Sequence, residues 1–213
     1  MLAVPAAPPL PRNRQTIADL TRRLSAPAFL GPTAALAGAT AALSAGVGFL
    51  PVLGHDAGLG SLATGAAVSL LAATAAVIQP RAGRACDTGR LAARTGLGAG
   101  LATSAAGLAL AAFVPGLPGL LGAAITIGLG TALITPLGFA ALAATAPEGR
   151  LGQTMGAAEV GRELGDAGGP LLVGVIAATT LTGGLAALAA LLTLGAAITA
   201  LPHRGRSQDT AAP

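Results

Sequence analysis

Six long apolar stretches constrain this chain more than any other feature. They cover about 28–50, 59–79, 91–113, 118–142, 153–177 and 181–201. A helix that crosses the hydrocarbon core of a bilayer needs about 20 apolar residues, and each stretch is that long. In lipid every backbone donor and acceptor must be satisfied within the protein, which a helix does by itself. Only 9% of the 213 residues are charged, against about a quarter in a soluble domain, and mean hydropathy is +0.75. An ordinary soluble globule and a disordered chain are therefore excluded. The expected fold is all-α and integral to the membrane: a bundle of six transmembrane helices over 27–202, with tails at 1–26 and 203–213.

The breaks between the stretches carry turn residues or charge. They read LPVLGHDAG, QPRAGRACDTGR, VPGLPG, TAPEGRLGQ and TTLTGG. Arg12, Arg14, Arg22 and Arg23 precede the first stretch. Arg81, Arg84, Arg90 and Arg94 lie in or beside the second break, Arg150 in the fourth, and Arg204 and Arg206 after the sixth. The first, third and fifth breaks hold no Arg. Every second connection is thus basic, the pattern of the positive-inside rule. It predicts both termini in the cytoplasm and His55 and Asp56 on the opposite side. The alternative is five passes, with 150–166 cytoplasmic and 168–201 one long span, which would put Arg204 and Arg206 on the wrong face. Before the first stretch, 14–26 places Ile17, Leu20 and Leu24 on one helical face, suiting either an interfacial amphipathic helix or a basic tail. The Pro-rich first dozen residues are expected to be disordered.

The net charge of +4 suggests nucleic acid in a soluble protein. Here the arginines fall between apolar runs, and no aromatic surface exists for stacking bases, so no nucleic-acid partner is expected. All twelve basic residues are Arg, with no Tyr or Trp, a composition of GC-rich codons that points to a bacterial cytoplasmic membrane. Cys86 is the single cysteine, which rules out an internal disulfide, and no metal-ligand spacing occurs. No cofactor or metal is expected. An intramembrane serine protease needs a nucleophile and a base at depth. The two histidines, His55 and His203, lie outside the stretches and no G-x-S-x-G occurs, so enzymatic function is not expected.

The fifth stretch carries Glu159, Arg162, Glu163 and Asp166. At about 100° per residue these four cover one arc of roughly 100°. Each charge near the bilayer centre costs about 2.5–3.5 kcal/mol. The stripe must then face the bundle interior or water, where such residues are functional candidates. Two roles compete. Arg162 can pair with Glu159 or Asp166 in a structural network, or the surplus carboxylates Glu163 and Asp166 can bind a proton and couple it to transport. Low dielectric favours the protonated carboxyl.

Small residues recur at the spacing that lets helix backbones approach: Gly96-x3-Gly100, Gly161-x3-Gly165 and Gly165-x3-Gly169. Pro136 and Pro170 lie inside stretches and each removes a helical hydrogen bond. The second break, from Gly83 through Asp87 and Gly89 to Arg90, resembles the G-x-x-x-D-x-x-G-R-[RK] loop of the major facilitator superfamily, with one residue missing between Asp87 and Gly89. The resemblance implies gating roles for Asp87 and Arg90; the alternative is that these arginines only set orientation. Gly156-x8-Gly165-x3-Gly169-Pro170 resembles that family's antiporter motif, although its final Gly pair is reduced to Gly174, one position late. The fourth stretch lacks the Arg that marks the family's fourth helix in proton antiporters. With the basic lead-in, these features align the stretches with helices seven to twelve, over about 25–202.

The resemblance implies a secondary transporter of a small solute, coupled to protons and working by efflux or antiport. It also implies a half-length chain that meets a second six-helix half or a second copy, since substrate sites in this family lie between two halves. The alternative is a non-transporting membrane fragment whose charged stripe serves only helix assembly.

Overall fold

The computed structural model describes residues 16–201. Seven helices account for nearly all of them: α1 (Ile17–Leu24), α2 (Pro27–Asp56), α3 (Ser61–Asp87), α4 (Ala93–Phe113), α5 (Gly116–Thr145), α6 (Leu151–Ala177) and α7 (Leu181–Ala200). Five of the six long helices, α2, α3, α4, α5 and α7, are long and apolar enough to cross a membrane. The sixth, α6, matches α3 at 27 residues but carries the four-charge stripe. The outer tails, with Arg12, Arg14, His203, Arg204 and Arg206, lie outside the described residues.

Helix ends follow local chemistry. Thr16 caps α1: its hydroxyl accepts from the Asp19 amide at 3.2 Å and donates to the Asp19 carboxylate at 2.6 Å, a variant of the capping box. Beyond α2, Gly58 takes a φ of +73°. Its amide donates to His55 O at 2.9 Å, and the Leu59 amide to Gly54 O at 2.8 Å. This is the Schellman closure, which needs a residue without a Cβ at the left-handed position.

Contacts along the helices fix their directions. Gly46 and Gly54 of α2 approach Leu71 and Thr64 of α3 in reversed order, and Gly38 and Gly195 bring α2 and α7 onto Leu101 of α4. Gly83 and Gly128 pair α3 with α5 in parallel, against Pro136 and Leu71. Consecutive long helices therefore run up and down. Seven described arginines, Arg22, Arg23, Arg81, Arg84, Arg90, Arg94 and Arg150, fall at helix ends or connections on one side. Arg94 on α4 ties that side by donating to Thr199 O at 2.6 Å and to Leu201 O, the last carbonyls of α7, where a cation also suits the helix dipole. On the opposite side, Asp56, Phe113, Val114 and Thr182 line one cleft of about 340 Å³.

In the packing, α2 and α5 form the centre, α4 and α7 cover one side, and α3 and α6 flank them. Leu36, Leu50, Ile127, Ile134 and Leu137 are fully buried there. Between helices in lipid the driving force is close van der Waals contact, and glycine provides it. A Cβ on Gly100 would lie 2.8 Å from Gly130 O, and one on Gly130 would lie 2.5 Å from Gly100 O. Here α4 and α5 touch backbone to backbone.

Two boundaries differ from the sequence expectation. Helix α2 runs through Pro51 to Asp56 instead of ending near residue 50. Helix α3 continues through Pro80 to Asp87, so Gly83 and Asp87 sit on its last turns and not in a loop. The intervening Ala-rich residues favour helix, and the chain turns only at Gly89, φ +69°. The alternative of one long span over 168–201 does not form: α6 ends at Ala177, and the Thr180 hydroxyl caps α7 by accepting from the Gly183 amide at 3.1 Å.

Candidate functional site

The charged stripe lies on α6, which packs chiefly on α2. The two helices are parallel and their contact is a row of glycines. A Cβ on Gly161 would strike Thr33, one on Gly165 the backbone of Ala37, and one on Gly169 the backbone of Ala41 at 2.6 Å. Both rows step by four residues, so the spacing read in the sequence is a real helix seam. Two hydroxyls on α2 reinforce it. Thr40 Oγ1 donates to Arg162 O at 2.7 Å, and Ser44 Oγ donates to Asp166 Oδ1.

The stripe runs beside this seam. Arg162 Nε lies 2.9 Å from both Glu159 carboxylate oxygens, and its Nη2 lies 2.6 Å from Glu159 Oε1 and 2.6 Å from Glu163 Oε1. Among the described residues Arg162 has no ion pair with Asp166. The structural network expected of Arg162 with Glu159 or Asp166 therefore forms with Glu159 and Glu163, and Asp166 belongs instead to the hydroxyl of α2. Two carboxylates thus share the one guanidinium, and the third, Asp166, is held outside that network.

Depth and exposure distinguish the stripe from an ordinary ion pair. Asp166 lies two residues past the midpoint of α6, about 3 Å by helix rise. Its partner Ser44 is just past the midpoint of α2. The side chains of Glu159 and Glu163 are 45% and 59% exposed, and Asp166 is exposed as well. The sequence offered the bundle interior or water as surroundings for the stripe. The interior of this six-helix bundle is not where it points. Pro170 adds a further polar group, because its missing N–H leaves the Asp166 carbonyl without its helical donor. The opposite flank of α6 presents Val160, Leu164, Leu171 and Val175, each more than 60% exposed, as a lipid-facing surface does.

The remaining sequence candidates are dispersed. Gly83 and Asp87 are on the end of α3, and Gly89 and Arg90 follow it. Gly89 terminates the helix by donating to Cys86 O at 2.9 Å. Asp87 and Arg90 are exposed and make no ion pair among the described residues. Gly156 has nothing within 4 Å of a Cβ, so unlike Gly165 and Gly169 it is no packing position. Pro136 lies within α5, where a Cβ on Gly83 would reach it at 3.8 Å. No cluster of metal-binding side chains occurs among the described residues. The sequence reading did not single out Thr40 and Ser44. Their signal was the spacing Thr33, Thr40, Ser44, which puts three hydroxyls on one face of an apolar helix.

The sequence pattern that defines the Major Facilitator Superfamily matches residues 24–213. The chain belongs to this family. The match begins at Leu24, the end of α1, and takes in all six long helices. Among curated proteins none matches the chain. Membership of the major facilitators makes this a multi-pass membrane protein of a transporter family, in keeping with its all-helical architecture.

Proposed function

We propose that the chain is the C-terminal six-helix half of a secondary transporter that moves a small solute in exchange with protons. Helices α2 to α7 take the places of helices seven to twelve, each crossing the bacterial cytoplasmic membrane, with the arginine-bearing end in the cytoplasm. The observation that carries this reading is the acidic stripe: three carboxylates near mid-depth of α6, exposed on the bundle surface. Charges at that depth do not tolerate lipid, so a water-filled cavity completed by a second six-helix half, or by a second copy, is their expected setting. In this reading Glu163 and Asp166 exchange protons with the cavity. Arg162 holds Glu159 and steadies Glu163, and Ser44 holds Asp166 in place against α2. Asp87 and Arg90, which make no ion pair among the described residues, are available to clamp the second half at the cytoplasmic end.

The second reading is a non-transporting fragment whose stripe serves helix assembly; the Arg162 bonds to Glu159 and Glu163 favour it. Proteoliposomes holding a trapped pH dye separate the two. Outward gradients of a panel of small solutes should move the dye signal for at least one solute, and Asp166→Asn should abolish that signal. Solute flux that leaves internal pH unchanged, or that Asp166→Asn leaves intact, removes the coupling role.

A further inference from the structure

The cleft at the end opposite the arginines, about 340 Å³, falls within the size range of small-molecule sites. Leu53, Val114, Leu120 and Leu181 give it apolar walls, drawn from the end of α2, the turn after α4, the start of α5 and the start of α7. Two polar side chains line it, Asp56 and Thr182, and Asp56 is the charged one. A mostly apolar space with one or two placed polar groups is the usual build of a ligand site.

Asp56 stands against ordinary helix electrostatics. It is the last residue of α2, where the helix presents its negative end and a cation is the favoured neighbour. It makes no ion pair among the described residues. The described arginines lie at the other end of the bundle, apart from Arg162, which is held by Glu159 and Glu163. His55 is the one other titratable side chain at this end among the described residues.

A second helix turns its negative end to the same cleft. Helix α4 stops at Phe113, and Pro115 has no N–H to give to the Ala111 carbonyl. The Val114 amide is already spent on Leu110 O at 3.0 Å. Ala111 and Ala112 both line the cleft. The end of α2 is closed by the amides of Gly58 and Leu59, so α4 supplies the open carbonyl end and α2 the full charge. Phe113, exposed beside them, adds an aromatic ring, whose face attracts cations.

We infer that this cleft binds a small organic ammonium, with its charged group between Asp56 and the end of α4 and its hydrocarbon body on the apolar walls. An anion meets acceptors on both sides and is refused. A metal ion such as calcium takes about six to eight oxygen ligands, whereas two oxygen-bearing side chains line the cleft, and it gains nothing from apolar walls. A neutral apolar molecule leaves the carboxylate uncompensated. That the cleft opens to the outside medium rests on the proposed orientation; the site itself rests neither on that nor on proton coupling by α6.

The test is equilibrium dialysis of the full chain in detergent against tryptamine or against tryptophol, in which a hydroxyl replaces the ammonium on the same frame. The chain has no Trp or Tyr, so indole fluorescence reports the ligand alone, and protein-free micelles give the partition background. Tryptamine should bind more tightly than tryptophol. Asp56→Asn, at an exposed helix end that tolerates it, should weaken tryptamine about fivefold, the upper range for an exposed ion pair, and leave tryptophol unchanged. Ala57→Leu, at an exposed position on the cleft wall, should weaken both. Equal binding of the two ligands, or indifference to Asp56→Asn, overturns the proposal. Displacement of tryptamine by an equal concentration of sodium or calcium overturns it too, as the mark of a metal-ion site. Binding is read without transport, so an amine site in a protein that moves no protons, or the reverse, is recognisable.

Discussion

Replacing Gly165 by Ala tests whether the seam between α2 and α6 is built as described. A Cβ there would run into the carbonyl carbon and Cα of Ala37, each 2.6 Å away, as well as its carbonyl oxygen. These are backbone atoms, so no side-chain rotation relieves the clash, and α6 must move away from α2. Overpacking of this kind costs about 1–3 kcal/mol. The substitution also removes glycine's helix penalty of about 0.5–1 kcal/mol, which masks part of the loss. Gly168→Ala on the same helix supplies the reference, because its Cβ meets nothing within 4 Å. It gains the same propensity without the clash. The difference between the two variants therefore isolates packing, and Gly165→Ala should be less stable by about 1–3 kcal/mol. Equilibrium unfolding in mixed micelles of a mild detergent and dodecyl sulfate measures it. Equal stability of the two variants would refute the seam.

Two further outcomes follow from the helix ends. Gly89→Ala forces a Cβ into a φ of +69° and should cost about 1 kcal/mol in the same unfolding assay, whereas Gly152→Ala in α6, with no contact and ordinary φ, should cost nothing. The hydrogen bond from Thr16 holds the Asp19 carboxyl below its ordinary value of 3.8. Its folded-state value is thus depressed, so its contribution to α1 is complete above about pH 4 and disappears as pH falls through the lower folded value. Protection of the α1 amides, taken relative to the intrinsic exchange rate at each pH, should fall over that range, and Asp19→Asn should remove the dependence.

Much of the fold was legible because lipid leaves few solutions. Run length and alternating arginines gave six long helices with their order and relative directions, and the Gly-x3-Gly spacings marked the real seams. What escaped was whatever depends on which helix meets which. Gly161, Gly165 and Gly169 announce a close approach, but nothing in their spacing names α2 as the partner. The bond from Ser44 to Asp166 joins residues 122 positions apart, beyond the reach of any local pattern. Choosing Glu163 as the second partner of Arg162 took side-chain geometry, since adjacent residues on a helix ordinarily point apart. Helix α3 outran its expected end because Pro80 reads as a breaker in sequence, yet a helix packed on neighbours accommodates it.

In the proposed transporter the stripe of α6 faces water at mid-membrane while its opposite flank faces lipid. With Cys86, the only cysteine, replaced by Ser, single cysteines at Glu163, Asp166, Leu164 and Leu171 can be exposed in native membranes to a charged, membrane-impermeant thiosulfonate. Glu163→Cys and Asp166→Cys should be modified rapidly, and Leu164→Cys and Leu171→Cys should be protected. Protection at 163 and 166 with modification at 164 and 171 would contradict this placement.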